Sequence, residues 1–164
     1  MEDKCKTEWV MAPFMVETAY QYYRASQLLW SQCFKVSIVN AALSIEILLK
    51  SFNAAVVANE GALNEKYKFN EKVLPDKTNK HDLVELFDAL PADVKNKFSN
   101  SFVQDMLEKY RYTFIHDRYM YEPSARSGAT TSLIDIAGEL IKKTVAIYVA
   151  RECTDPWIQN YPNV

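Results

Sequence analysis

Between about Phe34 and Ala58 the chain is apolar around most of a helix's circumference. Val36, Ile38, Val39, Ala41, Ala42, Leu43, Ile45, Ile47, Leu48, Leu49 and Phe52 leave no broad polar face. A surface helix buries one stripe, whereas a helix apolar all round has to be covered on several sides. The run therefore predicts a central helix with other elements packed around it. With 164 residues there is enough chain to cover it in one domain, without metals or disulfides. Glu46 and Lys50 interrupt the run four residues apart, on one face, where they can pair.

The rest of the chain supplies the covering helices. Pro13 suits a first helical turn, where its missing N–H is not needed. From there to about Ser31, Met15, Ala19, Tyr22, Tyr23, Ala25 and Leu29 recur at helical spacing. Residues 59–80 break the pattern, with Gly61, Pro75 and clustered Asn and Lys marking a connection. That connection reads either as a surface excursion or as a short helix near Ala62–Lys66. His81 opens a short helix whose apolar stripe is Leu83, Leu86, Phe87 and Leu90, stopped by Pro91. Another begins near Ala92 or Asp93 and runs through Phe98, Phe102, Met106, Tyr110 and Phe114 toward Tyr119, with a break marked by Asn100 and Ser101. The stretch 122–131 is a loop rich in turn residues. Thr130, Thr131 or Ser132 can cap the last helix, whose apolar face is Leu133, Ile136, Ala137, Leu140, Ile141, Thr144, Ile147 and Tyr148. Pro156 and Pro162 prevent its continuation. The expectation is an all-α, antiparallel four- to five-helix bundle over residues 13–150, with an N-terminal extension (1–12) and a C-terminal tail (151–164).

Composition narrows the function classes. Three glycines are too few for an all-β fold or a Gly-rich phosphate loop. Cys5, Cys33 and Cys153 are odd in number and far apart, with no CxxC pair, so they read as ordinary thiols rather than zinc ligands or a disulfide framework. The start, MEDKCKTEWV, lacks the apolar core of a signal peptide, and no uncharged apolar run has the length of a membrane span. A cytoplasmic protein is expected. A net charge of −2 argues against a broad basic coat for nucleic acid, although a cleft can concentrate the field of a few charges.

Of the two histidines, His81 reads as structural, a capping or buried hydrogen-bonding group. His116 lies in the run EKYRYTFIHDRYMYE, beside Arg111, Tyr112, Asp117 and Arg118. An imidazole among guanidiniums can exchange protons while facing an anion. Five residues on an α-helix are about 140° of rotation, so Arg111 and His116 do not share one face, but a long Arg can swing into a common groove. A groove on a two-fold axis would hold two copies of each group. Such a set suits phosphodiester cleavage: His takes the 2′-OH proton, an acid protonates the leaving 5′-oxygen and Arg offsets the phosphorane charge. The ordinary alternative is an Arg111 network with Asp117 or a Glu, plus a solvated His.

Four features, in this order, resemble the HEPN superfamily of helical domains: Tyr20-Gln-Tyr-Tyr-Arg-Ala25 on the first helix, Ala41-Ala-Leu-Ser-Ile-Glu46-Ile-Leu-Leu-Lys50 on the second, His81-Asp-Leu-Val-Glu-Leu86, and Arg111-Tyr-Thr-Phe-Ile-His116. The resemblance covers residues 13–150. It implies a helical bundle that commonly dimerises and, in many members, a metal-independent endoribonuclease acting as a toxin or in phage defence, often beside a nucleotidyltransferase-like antitoxin. Carried over, Arg111 and His116 are the catalytic pair, with Glu46, Tyr112, Asp117 and Arg118 supporting. Active members often carry a small polar residue after the Arg; here it is Tyr112, which can hydrogen-bond or stack on a base. No cofactor and no metal are called for, and RNA is the expected substrate. Glu46 and Lys50 then form either a core-edge ion pair or the second wall of the Arg111–His116 cleft. The alternative function is a non-catalytic nucleotide- or protein-binding module. A metal-dependent bundle enzyme would need carboxylates and His spaced three or four apart on facing helices, a pattern His116 lacks.

Overall fold

A computed structural model describes residues 9–164. The readings of Cys5 and of the first eight residues fall outside that range. The fold is mostly helical, with one small sheet.

Helices α1 (Pro13–Leu29) and α2 (Phe34–Ser51) are joined by a four-residue turn and pack along their whole length. Their contact is a seam of small residues repeating every seven positions. Ala12, Ala19 and Ser26 face Ser51, Ser44 and Ser37, and all six are fully buried. Ser37 Oγ donates to Ser26 O, and Ser44 Oγ donates to Ala19 O, each at 2.6 Å. Positions rise on one helix as they fall on the other, so the pair is antiparallel. Small side chains let the backbones approach; Ser37 and Ser44 satisfy their hydroxyls on the facing backbone, while Ser26 and Ser51 donate to Tyr23 O and Leu48 O of their own helices, each at 2.7 Å. Left unpaired, each hydroxyl would cost about 1–3 kcal/mol. At the third layer the Tyr148 hydroxyl accepts from Ala12 N (3.0 Å), and burial pushes that phenol up to about 12.

The apolar run folds as expected up to Ser51, where α2 ends. Ala54–Ala58 is not its continuation but strand β1, paired antiparallel with β2 (Lys66–Phe69). β-branched Val56 and Val57 favour the pleat over another helical turn. Asn53 anchors the start of the hairpin, its Nδ2 donating to Ala89 O (2.9 Å) while Asn70 N donates to Asn53 O (2.9 Å). Asn59 and Gly61 take positive φ in the turn, so the short helix near Ala62–Lys66 does not form.

A single 3₁₀ turn (Glu71–Val73) leads to α3 (Leu83–Asp88). The cap of α3 is Asp82, not His81: its Oδ1 accepts from Val84 N and Glu85 N at 3.1 and 3.3 Å. The expected long helix from residue 92 is three pieces, α4 (Ala92–Phe98), α5 (Ser101–Lys109) and the single turn α6 (Thr113–His116). The break at Asn100 falls where the sequence places it, with Asn100 Oδ1 accepting from Val103 N (2.9 Å). The break at Arg111–Tyr112 carries no such signal.

The last long helix, α7 (Ser132–Ala150), packs against α1 and α2 with its apolar face buried. Gly138 lets Tyr23 approach it; a Cβ there would lie 2.8 Å from the Tyr23 hydroxyl. Trp9 and Ala12 are buried, and α8 (Pro156–Asn160) lays Ile158 and the neighbouring Cys153 against α1 and α7. Cys33 and Cys153 are free thiols. Helix α2 touches α1, α3, α6 and α7, the covering its apolar circumference requires. No helix among the described residues is long and apolar enough to cross a membrane.

Candidate active-site cleft

The turn between α5 and α6 is where the sequence places the chemistry. Tyr110 and Tyr112 leave helical geometry, so Arg111 sits on a corner rather than on the same helix as His116. This corner removes the 140° problem. Arg111 and His116 line one open cleft of about 440 Å³, walled by Glu108 and Lys109 at the end of α5 and by Ser124–Gly128 of the following loop. Tyr112 lies between them, its ring 5.4 Å from the Arg111 guanidinium and 5.6 Å from the His116 ring. The His116 and Tyr112 side chains are exposed.

Arg111 is held hard from behind. Its Nε donates to both oxygens of Asp82 (2.8 and 2.9 Å), one Nη reaches Glu85 at 3.2 Å, and the other faces Glu108 at 3.6 Å. Asp82 is buried, and its carboxylate raises the pKa of Arg111 further, so the guanidinium is permanently charged. The same carboxylate raises the Tyr112 phenol. Leu83 N also donates to Arg111 O (3.2 Å), so the start of α3 fixes this corner through backbone and side chain together.

Asp117 is buried and organises the opposite wall. It accepts from Arg126 N (2.8 Å) and Arg126 Nε (3.3 Å), while Arg126 also donates to Lys109 O (3.0 Å) and stacks over Tyr110 at 4.4 Å. Three basic side chains (Lys109, Arg111, Arg126) and two acidic ones (Glu108, Asp117) line the cleft.

Two expected supporting residues lie elsewhere. Arg118 points away, over Phe114 at 5.3 Å and Tyr119 at 4.8 Å. Glu46 does not face the cleft: it is buried on α2, where its Oε1 accepts from Lys50 Nζ (2.6 Å) and lies 2.9 Å from His81 Nδ1. The pairing of Glu46 with Lys50 is the core-edge ion pair, with His81 added. Ion pairing draws Glu46 to these partners on its own side of α6, and Phe114 closes the group by stacking on His81 at 5.0 Å. Sequence reasoning missed Asp82, Glu85 and Arg126. The first two carry a usable signal, because Asp82-Leu-Val-Glu85 is the spacing of a capping box; Arg126, in a loop, carries none. Among the described residues no group of three or more His, Cys, Asp or Glu is placed to hold a metal ion.

Comparison of the chain with family models, curated proteins and solved structures finds no match among any of them.

Proposed function

We propose that the chain is a HEPN-like antiparallel bundle that acts as a cytoplasmic homodimer and cleaves RNA without a metal, with Arg111 and His116 as the catalytic pair. The observation that carries the reading is their meeting in one open cleft, with the exposed Tyr112 ring between them. In the reaction His116 takes the proton of a ribose 2′-OH, and the freed oxygen attacks the adjacent phosphorus. The P–O5′ bond breaks as a protonated His116 of the second copy gives its proton to the leaving oxygen. A 2′,3′-cyclic phosphate and a 5′-OH result. Arg111, fixed by Asp82, faces the charge that develops on phosphorus at no cost of reorganisation. A role as a toxin or phage-defence effector, restrained by a nucleotidyltransferase-like antitoxin, fits this activity.

One observation favours a second reading, a non-catalytic nucleotide- or protein-binding module. Asp82, Glu85 and Glu108 already surround the guanidinium and reduce its pull on phosphate. The test is cleavage of single-stranded RNA by purified protein in the presence of a chelator. His116→Ala is expected to lower the rate by about 10²–10⁴-fold at unchanged secondary structure. A rate unchanged by that substitution sinks the ribonuclease reading. Saturable nucleotide binding without cleavage by the wild-type chain selects the second.

A further inference from the structure

A second concavity, of about 440 Å³, lies between α1 and the C-terminal α8. Glu17, Tyr20, Trp157 and Asn160 are among the residues that line it, and among the described residues no lysine or arginine does. Tyr20 and Trp157 meet edge to face, ring centroids 5.3 Å apart and planes at 61°, so together they form an aromatic corner. Tyr161 backs it, 5.8 Å from Tyr20 and 5.6 Å from Trp157. The corner is held in place by the cap of α8, where Asp155 Oδ1 accepts from Trp157 N (2.9 Å) and Ile158 N (3.2 Å). Nothing in the Arg111–His116 cleft uses these residues.

We infer that this corner binds a small organic cation, a quaternary or methylated ammonium group, between the Tyr20 and Trp157 rings and the Glu17 carboxylate. Ring faces carry negative potential and attract a cation held against them. A methylated ammonium suits the place better than a bare one, because its charge is spread over C–H groups that lose little hydration on leaving water. Glu17 supplies the counter-charge. Its pKa is raised by partial burial and by the charge of Asp155, a repulsion that a bound cation relieves.

The test uses the whole chain and follows the indole N–H signals of its three tryptophans by NMR, with Trp157 identified by its loss in Trp157→Phe. Choline is the cationic probe, and dimethylbutanol, its neutral carbon isostere, is the control. Choline is expected to shift the Trp157 signal with half-saturation on the order of 1 mM, and dimethylbutanol at least about 10-fold more weakly. Glu17→Gln should weaken choline roughly 3- to 5-fold. Tyr20→Leu should abolish saturation, while the Trp9 and Trp30 signals report that the fold survives. Equal binding of the two probes, no saturable shift, or choline binding unchanged in Glu17→Gln overturns the inference. If Tyr20→Leu disturbs the Trp9 and Trp30 signals, Glu17→Gln alone decides.

Discussion

The two histidines lie on either side of one helical turn and are held in opposite ways. His81 is part-buried, bonded to the buried Glu46, which also takes Lys50, and pressed against Phe114. His116, two positions beyond Phe114 and so roughly 200° around the helix, stands exposed in an open cleft with an aromatic neighbour and no fixed hydrogen bond to another side chain among the described residues. The first arrangement suits holding the fold together. The second leaves an imidazole free to meet a ligand. Between them runs Asp82, next to His81 in sequence yet bonded to the cleft's Arg111, so the rigid side positions the open one.

The largest effect is therefore expected from the link. Asp82→Ala removes the cap of α3 and leaves Arg111 without its buried partner. It should cost about 3–4 kcal/mol in urea unfolding and lower any activity of the cleft as well. Glu108→Ala, which removes the exposed partner of the same Arg111, should change stability by less than about 0.5 kcal/mol. Equal losses would mean that Asp82 does not hold the cleft.

Next in size is an effect at neither histidine. The folded chain raises the Tyr148 phenol from 10.0 to about 12, so it holds that proton more tightly than the unfolded chain does. Its contribution is full below about pH 10 and is lost as the pH rises toward 12, amounting to about 2–3 kcal/mol. Unfolding midpoints measured from about pH 9 to about pH 11.5 should fall, and fall less in Tyr148→Phe. A fall of the same steepness in that variant would place the alkaline loss elsewhere.

The histidines themselves give the sharpest contrast. His81→Ala leaves the buried Glu46 with one partner fewer and should cost about 1–2 kcal/mol. His116→Ala should stay within about 0.5 kcal/mol, the range of an exposed site. If the two variants unfold at the same denaturant concentration, the division between a structural and a free histidine is broken.

Periodicity made the long helices legible, since α2 and α7 each bury a regular apolar set that recurs along the sequence; α1 forms where expected but buries Val16, Ala19 and Ser26, of which the apolar pattern named Ala19 alone. It failed where backbone choice rests on partners far away in the chain. Ala54–Ala58 continues the apolar pattern of α2, and its strand exists because Lys66–Phe69 returns to pair with it. The single run from Ala92 toward Tyr119 hid a corner at Arg111, held by Asp82 and Leu83 some 28 positions earlier. In the cleft, Arg111, Tyr112 and His116 were legible as a cluster because they are close in sequence. Glu46 was read as part of that cluster because sequence order does not show which side of α6 a residue of α2 will face. The seam of Ala12, Ala19, Ser26, Ser37, Ser44 and Ser51 went unread, since small residues give no hydrophobic signal even at perfect spacing.

That seam also bears on how the chain finds a single alignment of its first two helices. Small residues spaced seven positions apart on both partners look alike after a slide of one repeat, so Ala19 could meet Ser37 as comfortably as it meets Ser44. The seam by itself tolerates several alignments. What removes the ambiguity is the short connection of residues 30–33, too brief to reach any other match, together with the Tyr148 hydroxyl waiting at Ala12. The interlocking surface supplies closeness, and the length of four linking residues supplies uniqueness.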